Sequence, residues 1–264
     1  MMEFVGNIAR KTGSPSLLAV EALKTEKASE IGKSSGLFYV PRVISFDAEA
    51  GVLEFERLAG LVTLLDLAIK KDRRLFELLE KTGRSLAVIH QQLTLPDDMK
   101  YELPPEWMDP PGENVFIHGD FASINVCFHE PSGRLVILDW SGAPIMGRTP
   151  TFGSRFFDVF WFAACVFRGV PAKRLLSWNA ESMTDTFLCG YRAGIFEILA
   201  AESPTSSQDK LSRFRDYLSK IFRLQRQKIR YLARRRSGGK AMLYVLSQLF
   251  MYARLHSFLQ NYKL

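Results

Sequence analysis

The stretch that decides the fold is HGDFASIN, residues 118–125, which is followed by the apolar run VILDW, residues 136–140. A short apolar run precedes the first segment, so Asp120 is predicted to project from a loop at the end of a strand. Asn125 lies five residues later, and a hairpin between the two segments is expected to return Asp139 to the same pocket. The spacing therefore predicts that two carboxylates and one amide meet at a single site.

These side-chain types suit chemistry on a phosphate. One carboxylate is available to orient a hydroxyl group, while the other carboxylate and the amide offer the hard oxygen ligands that Mg²⁺ prefers. Mg²⁺ takes few ligands from a protein, because phosphate oxygens and water complete its octahedron. Phosphoryl transfer depends mainly on positioning and on neutralisation of charge. The residues therefore indicate a site for a magnesium-bound phosphate.

The pattern resembles the aminoglycoside phosphotransferase and choline kinase superfamily, which shares the protein-kinase-like fold. That superfamily has a catalytic loop of the form H-G-D-x-x-x-x-N and a metal loop in which an apolar strand ends in I-D-W or a near variant. The resemblance implies that Asp120 is the catalytic carboxylate, that Asn125 and Asp139 are the Mg²⁺ ligands, and that ATP is the phosphate donor. It also implies that His118 is structural and orients the loop through hydrogen bonds.

Other segments agree with this resemblance, which covers residues 9–170. They are VPRV at 40–43 after the first helix, EFERLAG at 54–60 as the hinge strand, AVIH at 87–90 before the catalytic loop, and FDV at 157–159 after the metal loop. In this fold the backbone of the hinge pairs with adenine. The resemblance therefore implies that Glu56 and Leu58 offer main-chain groups to ATP.

The N-terminal end departs from the superfamily pattern. The lysine that contacts ATP is best matched by Lys11, and its ion-pair partner on the first helix is predicted to be Glu26, with Glu21 and Glu30 as alternatives. Gly6 is the only glycine before Lys11, so no Gly-rich loop is expected over the phosphates. Three interpretations remain open: the N-terminal lobe is reduced, other groups hold the phosphates, or ATP binds weakly.

The predicted fold class is α+β, as a two-lobed protein-kinase-like fold with a reduced N-terminal lobe and a mainly helical C-terminal lobe. The first lobe is assigned to residues 1–59 and contains a short sheet and one helix, with the hinge at its end. The second lobe, residues 60–264, contains the catalytic loop, the metal loop and the acceptor site. The spacing of apolar residues predicts helices at 17–31, 62–70, 73–92, 154–168, 182–200, 207–236 and 239–260, and Gly32 and Gly36 are predicted to close the first of them. Strands are predicted at 40–44 and 52–55, and the turn residues at 47–51 predict that the two form a hairpin.

Charge is distributed unevenly along the chain. Residues 205–264 contain fourteen Lys and Arg against two acids, although the net charge of the whole chain is only +7. Such a basic segment argues against a polycationic antibiotic as the acceptor and favours a neutral or anionic small molecule, such as a sugar, a sugar phosphate or a lipid-linked saccharide. The basic run at 223–240 either meets an anionic lipid surface or forms a solvated helix face. No zinc finger, RNP motif or basic zipper is present, which argues against nucleic acid as a partner.

The cysteines, the length of the apolar runs and the first residues indicate the compartment of the protein. Three widely spaced cysteines indicate reduced thiols. No apolar run approaches the ~18 residues that span a bilayer, and the first residues form no secretory signal. A cytoplasmic protein is therefore expected, with peripheral attachment to the inner face of a membrane as an open alternative. Two functions remain: an ATP-dependent small-molecule kinase, or a kinase-like binding module with weak catalysis.

Overall fold

The computed structural model describes residues 2–109, 113–142, 149–169, 178–199, 216–217, 219–223 and 239–262. Its strands are β1 (Met2–Val5), β2 (Ile8–Thr12), β3 (Val43–Asp47), β4 (Val52–Glu56), β5 (Leu61–Thr63), β6 (Val115–Phe116), β7 (Val126–His129), β8 (Arg134–Ile137) and β9 (Phe152–Gly153). Its helices are α1 (Pro15–Ser35), α2 (Leu64–Lys70), α3 (Leu75–Gln92), α4 (Arg155–Arg168), α5 (Ala180–Leu199) and α6 (Gly239–Asn261). Two short 3₁₀ turns lie at Asp97–Met99 and Pro105–Trp107.

The first four strands form an antiparallel sheet in the order β1-β2-β4-β3. A tight turn at Gly6 joins β1 to β2, and its φ of 56° lies in the left-handed region that glycine adopts without strain. β3 and β4 form the hairpin that the sequence predicts. Lys11 lies on β2 opposite Leu53 of β4. The lysine is therefore held on an inner strand of the sheet.

β3 begins at Val43, later than the strand predicted at 40–44. The residues before it pair with the second part of the chain: the Tyr39 amide donates to the Leu135 carbonyl at 2.8 Å, and the Ile137 amide donates to the Tyr39 carbonyl at 3.0 Å. The two neighbours of Tyr39 are buried in the larger apolar core. The chain around Tyr39 therefore pairs with β8 and is not part of the first sheet.

α1 is longer than the helix predicted at 17–31, because Gly32 does not end it. Gly32 lies inside the helix, where a Cβ atom would be only 2.6 Å from the Phe38 carbonyl oxygen. The helix ends at Gly36, the second glycine predicted to close it, which caps it in a left-handed conformation. Gly32 therefore permits the chain that leaves α1 to pack closely against it.

Two separate clusters of buried apolar side chains lie among the described residues. The smaller one lies between α1 and the first sheet and contains Leu18, Ala22, Leu53 and Phe55. The larger one includes side chains from α2 to α6 and also Ala28 and Ile31 of α1. Two clusters agree with the two-lobed fold class that the sequence predicts. The boundary between residues 59 and 60 stays a prediction, because the end of α1 packs into the larger cluster.

α3 and α5 pack backbone to backbone. Gly83 of α3 lies against the main chain of α5 at Phe187 and Tyr191, and Gly190 of α5 lies against the carbonyl of Glu80. A Cβ atom at either glycine would overlap main-chain atoms, so the helices could not meet this closely with larger residues. This packing fixes the buried face of α3, on which part of the site depends.

The two loops of the predicted site extend from short sheets. β5, β7 and β8 form a second antiparallel sheet, and β6 pairs with β9. The stretch at 118–125 connects β6 to β7, and Asp139 follows β8. β7 and β8 form the predicted hairpin, in which Val126 pairs with Ile137. The hairpin therefore returns the chain to the end of the catalytic loop, as the spacing predicts.

Among the side chains of the C-terminal helix α6 that the structure describes, the buried ones lie in the second half of the helix, and several in the first half are exposed. Its buried side chains include Tyr252, Leu255 and Leu259, and its exposed ones include Met242, Leu246 and Phe250. The helix predicted at 207–236 and the basic run at 223–240 lie mostly outside the described residues. None of the helices in the described part of the chain has the length and apolar character needed to cross a membrane.

Candidate active site

A buried carboxylate holds residues 118–125, the loop predicted to be catalytic and called the catalytic loop for that reason. Asp158 in the first turn of α4 is completely buried and accepts hydrogen bonds from the amides of His118 at 2.7 Å and Gly119 at 2.9 Å. Its Oδ2 also lies 3.0 Å from Nε2 of His90, near the end of α3. Asp158 therefore joins α3, α4 and the catalytic loop.

In the pair formed by Asp158 and His90, the carboxylate carries the charge. Burial acts to raise the pKa of Asp158, but the hydrogen bonds that it accepts, first from His90, hold that pKa below its ordinary value. Burial lowers the pKa of His90. Neutral His90 therefore donates from Nε2 to Asp158 and accepts at Nδ1 from the Tyr191 hydroxyl, at 2.9 Å.

The ring of His118 supports the loop from the inside. The Asp120 amide donates to Nδ1 of His118 at 3.3 Å, and Nε2 of His118 donates to the Leu138 carbonyl at 3.1 Å. Burial lowers the pKa of His118 to about 4, and nearby Lys24 acts in the same direction, so the ring is neutral. These bonds agree with the orienting role that the resemblance implies.

Asp120 follows a backbone turn that requires glycine. Gly119 has a φ of 83°, and a Cβ atom there would lie 2.7 Å from the Pro150 carbonyl oxygen. Any other residue would be strained by its φ and would overlap the neighbouring main chain. The turn therefore explains why the catalytic loop has glycine directly before Asp120.

Each carboxylate oxygen of Asp120 accepts a hydrogen bond. Oδ1 accepts from the indole N–H of Trp161 at 2.6 Å, and Oδ2 accepts from the side-chain amide of Asn125 at 3.1 Å. Partial burial raises the pKa of Asp120 above its ordinary value, although the bond from Trp161 opposes this. A carboxylate has about four acceptor positions, so Asp120 is oriented and can still accept from a hydroxyl group.

Asn125 and Asp139 are brought together by the backbone. The Leu138 amide donates to the Asn125 carbonyl at 2.8 Å. Asp139 has a φ of 56°, a strained conformation for a residue other than glycine and one that is frequent at functional sites. Its Oδ1 accepts from Ser141 at 2.6 Å and from Lys11 at 3.1 Å.

The side chains of Asn125 and Asp139 fit a hard cation. The Asn125 nitrogen donates to Asp120, so the amide oxygen remains an acceptor. Asp139 is 44% exposed, and its Oδ2 is not part of the bonds to Lys11 and Ser141. Burial acts to raise the pKa of Asp139, but Lys11 and Ser141 hold it below its ordinary value. An ionised carboxylate and an amide oxygen are ligands that Mg²⁺ prefers.

Lys11 connects the first sheet to the metal loop. Its Nζ lies 2.8 Å from Oε1 of Glu21 and 3.1 Å from Oδ1 of Asp139. Burial acts to lower the pKa of Lys11, but the two carboxylates raise it above its ordinary value. The predicted partner Glu26 is exposed on α1, and so is Glu30. The structure therefore selects the alternative Glu21, because five residues along a helix rotate Glu26 by about 140° away from it.

Lys24 of α1 lies completely buried beneath the catalytic loop. Its Nζ donates to the His118 carbonyl at 2.6 Å. Burial lowers the pKa of Lys24 from 10.5 to about 8, although the acidic side chains around it, first Asp158 and then Glu21, favour the charged form. This lysine comes from the segment that precedes the hinge but contacts the loop that follows it.

Two side chains at this site, Trp161 and Lys24, were not predicted from the sequence. Each lies three residues after a buried acidic residue on the same helix, Asp158 in α4 and Glu21 in α1. Residues three apart share one face of a helix. This spacing could predict Trp161 and Lys24 only once the acidic residue before each of them is known to lie at the site.

The predicted hinge residues lie at the end of β4 and just after it. The Glu56 amide donates to the Arg42 carbonyl at 2.9 Å, and the Glu56 carboxylate accepts from the Tyr39 hydroxyl at 2.5 Å. The amide of Glu56 is therefore already bonded and is not free for adenine. The carbonyl of Glu56 and the main chain of Leu58, which is two residues later and half-buried, remain the predicted groups for adenine.

The described residues together gather the groups that a phosphoryl transfer needs. Asp120 can accept from a hydroxyl, Asn125 and Asp139 can hold a hard cation, and Lys11 supplies a charged ammonium beside them. Glu56 stands apart from this group at the hinge, and Glu26 lies outside it on the surface of α1.

Comparison with solved structures identifies the fold. A choline/ethanolamine kinase family protein from Mesorhizobium loti aligns with a TM-score of 0.57 and 13% identity, over 98% of this chain and 85% of that one. Choline kinase from Streptococcus pneumoniae aligns with a TM-score of 0.50 and 16% identity, over 99% and 89%. A glucosamine kinase in complex with glucosamine, ADP and inorganic phosphate aligns with a TM-score of 0.51 and 15% identity, over 98% and 75%. No protein-family profile and no curated protein sequence matches the chain.

These structures are small-molecule kinases, and the chain shares their kinase-like fold. The fold predicted from residues 118–140 is thereby confirmed.

Proposed function

We propose that the protein is an ATP-dependent phosphotransferase that moves the γ-phosphate of ATP to a hydroxyl group of a small molecule. The observation that carries the proposal is the arrangement of Asp120, Asn125 and Asp139: the Asn125 side-chain amide donates to Asp120, the residue before Asp139 donates to the Asn125 carbonyl, and Lys11 bonds to Asp139. The small-molecule kinases with the same fold support it. Nineteen positions separate the first and last of the three loop residues, so their proximity depends on the β7–β8 hairpin.

In the proposed reaction Asp120 is the catalytic carboxylate. The hydroxyl oxygen of the acceptor forms a bond to the γ-phosphorus, and the bond between that phosphorus and the bridging oxygen of ADP breaks. The hydroxyl proton passes to Asp120, whose orientation is fixed by Trp161 and Asn125. The bond from Trp161 stabilises the ionised form of the carboxylate, which is the form that accepts this proton.

The nucleotide is assigned to the side of the site formed by the first sheet and the hinge. Lys11, held by Glu21, is positioned to contact phosphate oxygens, and Leu58 offers its main chain to adenine. Asn125 and Asp139 would hold Mg²⁺, which neutralises the charge of the phosphates when it is bound. Lys11 and Asp139 contact each other here, so both groups are already oriented towards one point.

The acceptor is proposed to be neutral or anionic. One face of α4 contacts Asp120 through Trp161. The same face carries Cys165, four residues after Trp161, and Arg168, three residues later. The Arg168 guanidinium lies over the Trp161 ring at 5.6 Å and has no carboxylate partner among the described residues. A guanidinium near the reacting carboxylate disfavours a cationic acceptor and suits a sugar or a sugar phosphate.

The proposal is tested by binding and by transfer. Calorimetry with Mg²⁺ and ATP measures nucleotide affinity, and transfer of labelled γ-phosphate is measured with choline, glucosamine, a neutral sugar, a sugar phosphate and a glycolipid as acceptors. Asp120→Ala is expected to abolish transfer while ATP still binds, and Asp139→Ala is expected to abolish the Mg²⁺-dependent part of the binding. Asp98→Ala, on an exposed turn, is the control.

The results separate the kinase from a binding module. Transfer to any acceptor that is lost in Asp120→Ala supports the kinase. Binding of ATP without transfer to any acceptor class supports the binding module with weak catalysis. Absence of binding at millimolar ATP, or full transfer in either active-site variant, overturns the assignment.

A further inference from the structure

Lys24 is a buried cation whose position packing alone does not explain. Its side chain is fully buried, and its single hydrogen bond to another described residue goes to the His118 carbonyl, 94 positions away in the sequence. An ammonium group has three donors, and its removal from water is costly unless charges or hydrogen bonds compensate. A methionine of similar volume would fill the same space without that cost. The amino group is therefore the feature that needs a function.

The backbone directly before Asp120, the proposed catalytic carboxylate, is hydrogen-bonded on two sides, and Lys24 provides one of these bonds. The amides of His118 and Gly119 donate to Asp158, which belongs to α4. The carbonyl of His118 accepts from Lys24, which belongs to α1. The peptide group between His118 and Gly119 is thus bonded through its N–H to an anion on one side and through its carbonyl to a cation on the other. Asp120 is the next residue, so its position depends on both bonds.

Lys24 shares its helix with the partner of the nucleotide lysine. Glu21 lies one turn before Lys24 on α1, is also buried, and bonds to Lys11 at 2.8 Å. The same face of α1 therefore carries one side chain that holds Lys11 and one that holds the catalytic loop. A rotation or shift of α1 would change both contacts together.

We propose that Lys24 is a positioning residue that couples the nucleotide-binding pair of Lys11 and Glu21 to the catalytic loop. When nucleotide phosphates fix Lys11 and Glu21, α1 is held in one orientation, and Lys24 then holds the peptide before Asp120 in its working position. The second half of this inference rests on the proposed function, because it requires a nucleotide at Lys11. The first half, the bond between α1 and the loop, does not.

The test compares three variants with a matched control. Lys24→Met removes the donor and keeps the volume, and Lys24→Gln keeps a donor without the charge. Lys24→Arg keeps the charge. Lys27→Met, on the exposed side of α1 where Lys27 pairs with Glu30 at 3.0 Å, is the control. If the methionine variant does not fold, Lys24→Leu, which also removes the donor, replaces it in every comparison.

Hydrogen–deuterium exchange gives a readout that does not depend on turnover. Without nucleotide, exchange of the segment 117–126 is expected to be about 10- to 100-fold faster in Lys24→Met than in Lys27→Met, because a hydrogen bond to a charged group is lost. With Mg²⁺ and a non-transferable imido analogue of ATP, the wild type is expected to become protected in both α1 and 117–126. Lys24→Met is expected to become protected in α1 only.

Kinetics provide the second readout wherever the wild type transfers phosphate. Lys24→Met is expected to lower kcat about 10- to 100-fold with the KM for ATP changed by less than about threefold. Lys24→Arg is expected to recover part of that loss, and Lys27→Met is expected to match the wild type. A residue needed only for stability would lower the amount of folded enzyme and leave kcat per folded molecule unchanged.

The outcomes separate this inference from the proposed function. If the wild type does not bind the analogue, the proposed function and the coupling both fail, and the bond from Lys24 to the loop is then judged from exchange without nucleotide. If the wild type binds the analogue but exchange of 117–126 is the same in Lys24→Met and Lys27→Met, the inference about Lys24 fails and the proposed function stands.

Discussion

Replacement of Asp158 by asparagine tests the part of the structure on which the catalytic loop depends most. The carboxylate accepts from the amides of His118 and Gly119 and from Nε2 of His90, and it is completely buried. Asparagine has one acceptor oxygen, and its NH₂ group would face one of these donors. Loss of a charge-assisted bond costs about 1.5–3 kcal/mol, and the buried donor left without a partner costs about 1–3 kcal/mol more.

The expected destabilisation by Asp158→Asn, which is the sum of these two costs, is therefore about 4 kcal/mol. For a protein of this size that loss lowers the Tm by roughly 10 °C. Thermal and urea denaturation of the variant are compared with those of Asp98→Asn, whose side chain lies on an exposed turn and which is expected to change stability by less than about 0.5 kcal/mol.

A result within about 1 kcal/mol of the wild type would refute the reasoning, because three donors cannot lose their buried acceptor without cost. Transfer of phosphate by the same variant is a second criterion. The Gly119 amide that Asp158 holds precedes Asp120 directly, so a variant that is stable and fully active would show that the buried carboxylate does not position the loop.

Three further predictions follow from the remaining contacts of the site. Glu21→Gln is expected to weaken ATP binding about 10-fold, because Lys11, the proposed contact to the phosphates, loses a charged partner. Glu26→Gln is expected to leave the affinity unchanged, and equal affinities of the two variants by calorimetry would contradict the assignment of Glu21. Trp161→Phe keeps the aromatic packing but removes the indole donor to Asp120. The rate of phosphate transfer is therefore expected to fall roughly 10-fold while the affinity for ATP stays constant. An unchanged transfer rate would exclude an orienting role for Trp161. His118 has a pKa of about 4 when folded and 6.5 ordinarily, so below pH 6.5 the unfolded chain takes up a proton that the folded protein does not. Stability is therefore expected to fall by up to about 3 kcal/mol between pH 6.5 and pH 4, and equal denaturation midpoints at pH 7 and pH 5 would contradict this.

The predicted site has a buried set of side chains behind it and a partly exposed carboxylate in front. Asp158, His90 and Lys24 are completely or almost completely buried, whereas Asp139 is partly open to solvent. Buried ionised groups hold the loop backbone in place, and the exposed carboxylate remains accessible to a ligand. This division suits a reaction that depends on positioning, because the groups that would contact substrate rest on a backbone that is itself hydrogen-bonded.

Local patterns predicted much of the architecture. The alternation and turn residues around Asp47–Gly51 predicted the β3–β4 hairpin, and the apolar spacing after residue 73 predicted α3 almost to its ends. They failed where a residue serves a distant contact. Gly32 resembles a helix stop but permits close packing against Phe38. The strand predicted at 40–44 begins only at Val43, because Tyr39, just before it, pairs with β8.

The sequence by itself determined the order of the chemical groups: a loop with Asp120 and Asn125, a hairpin, and Asp139 at the end of an apolar strand, whose residue types suit a magnesium-bound phosphate. Only the tertiary structure decided which helix residues join them. Glu21 and not Glu26 meets Lys11, Lys24 reaches the His118 carbonyl, and Trp161 reaches Asp120. These contacts depend on how α1 and α4 are rotated about their axes when they pack, and that rotation is set by the buried faces of the whole fold rather than by neighbours in the sequence.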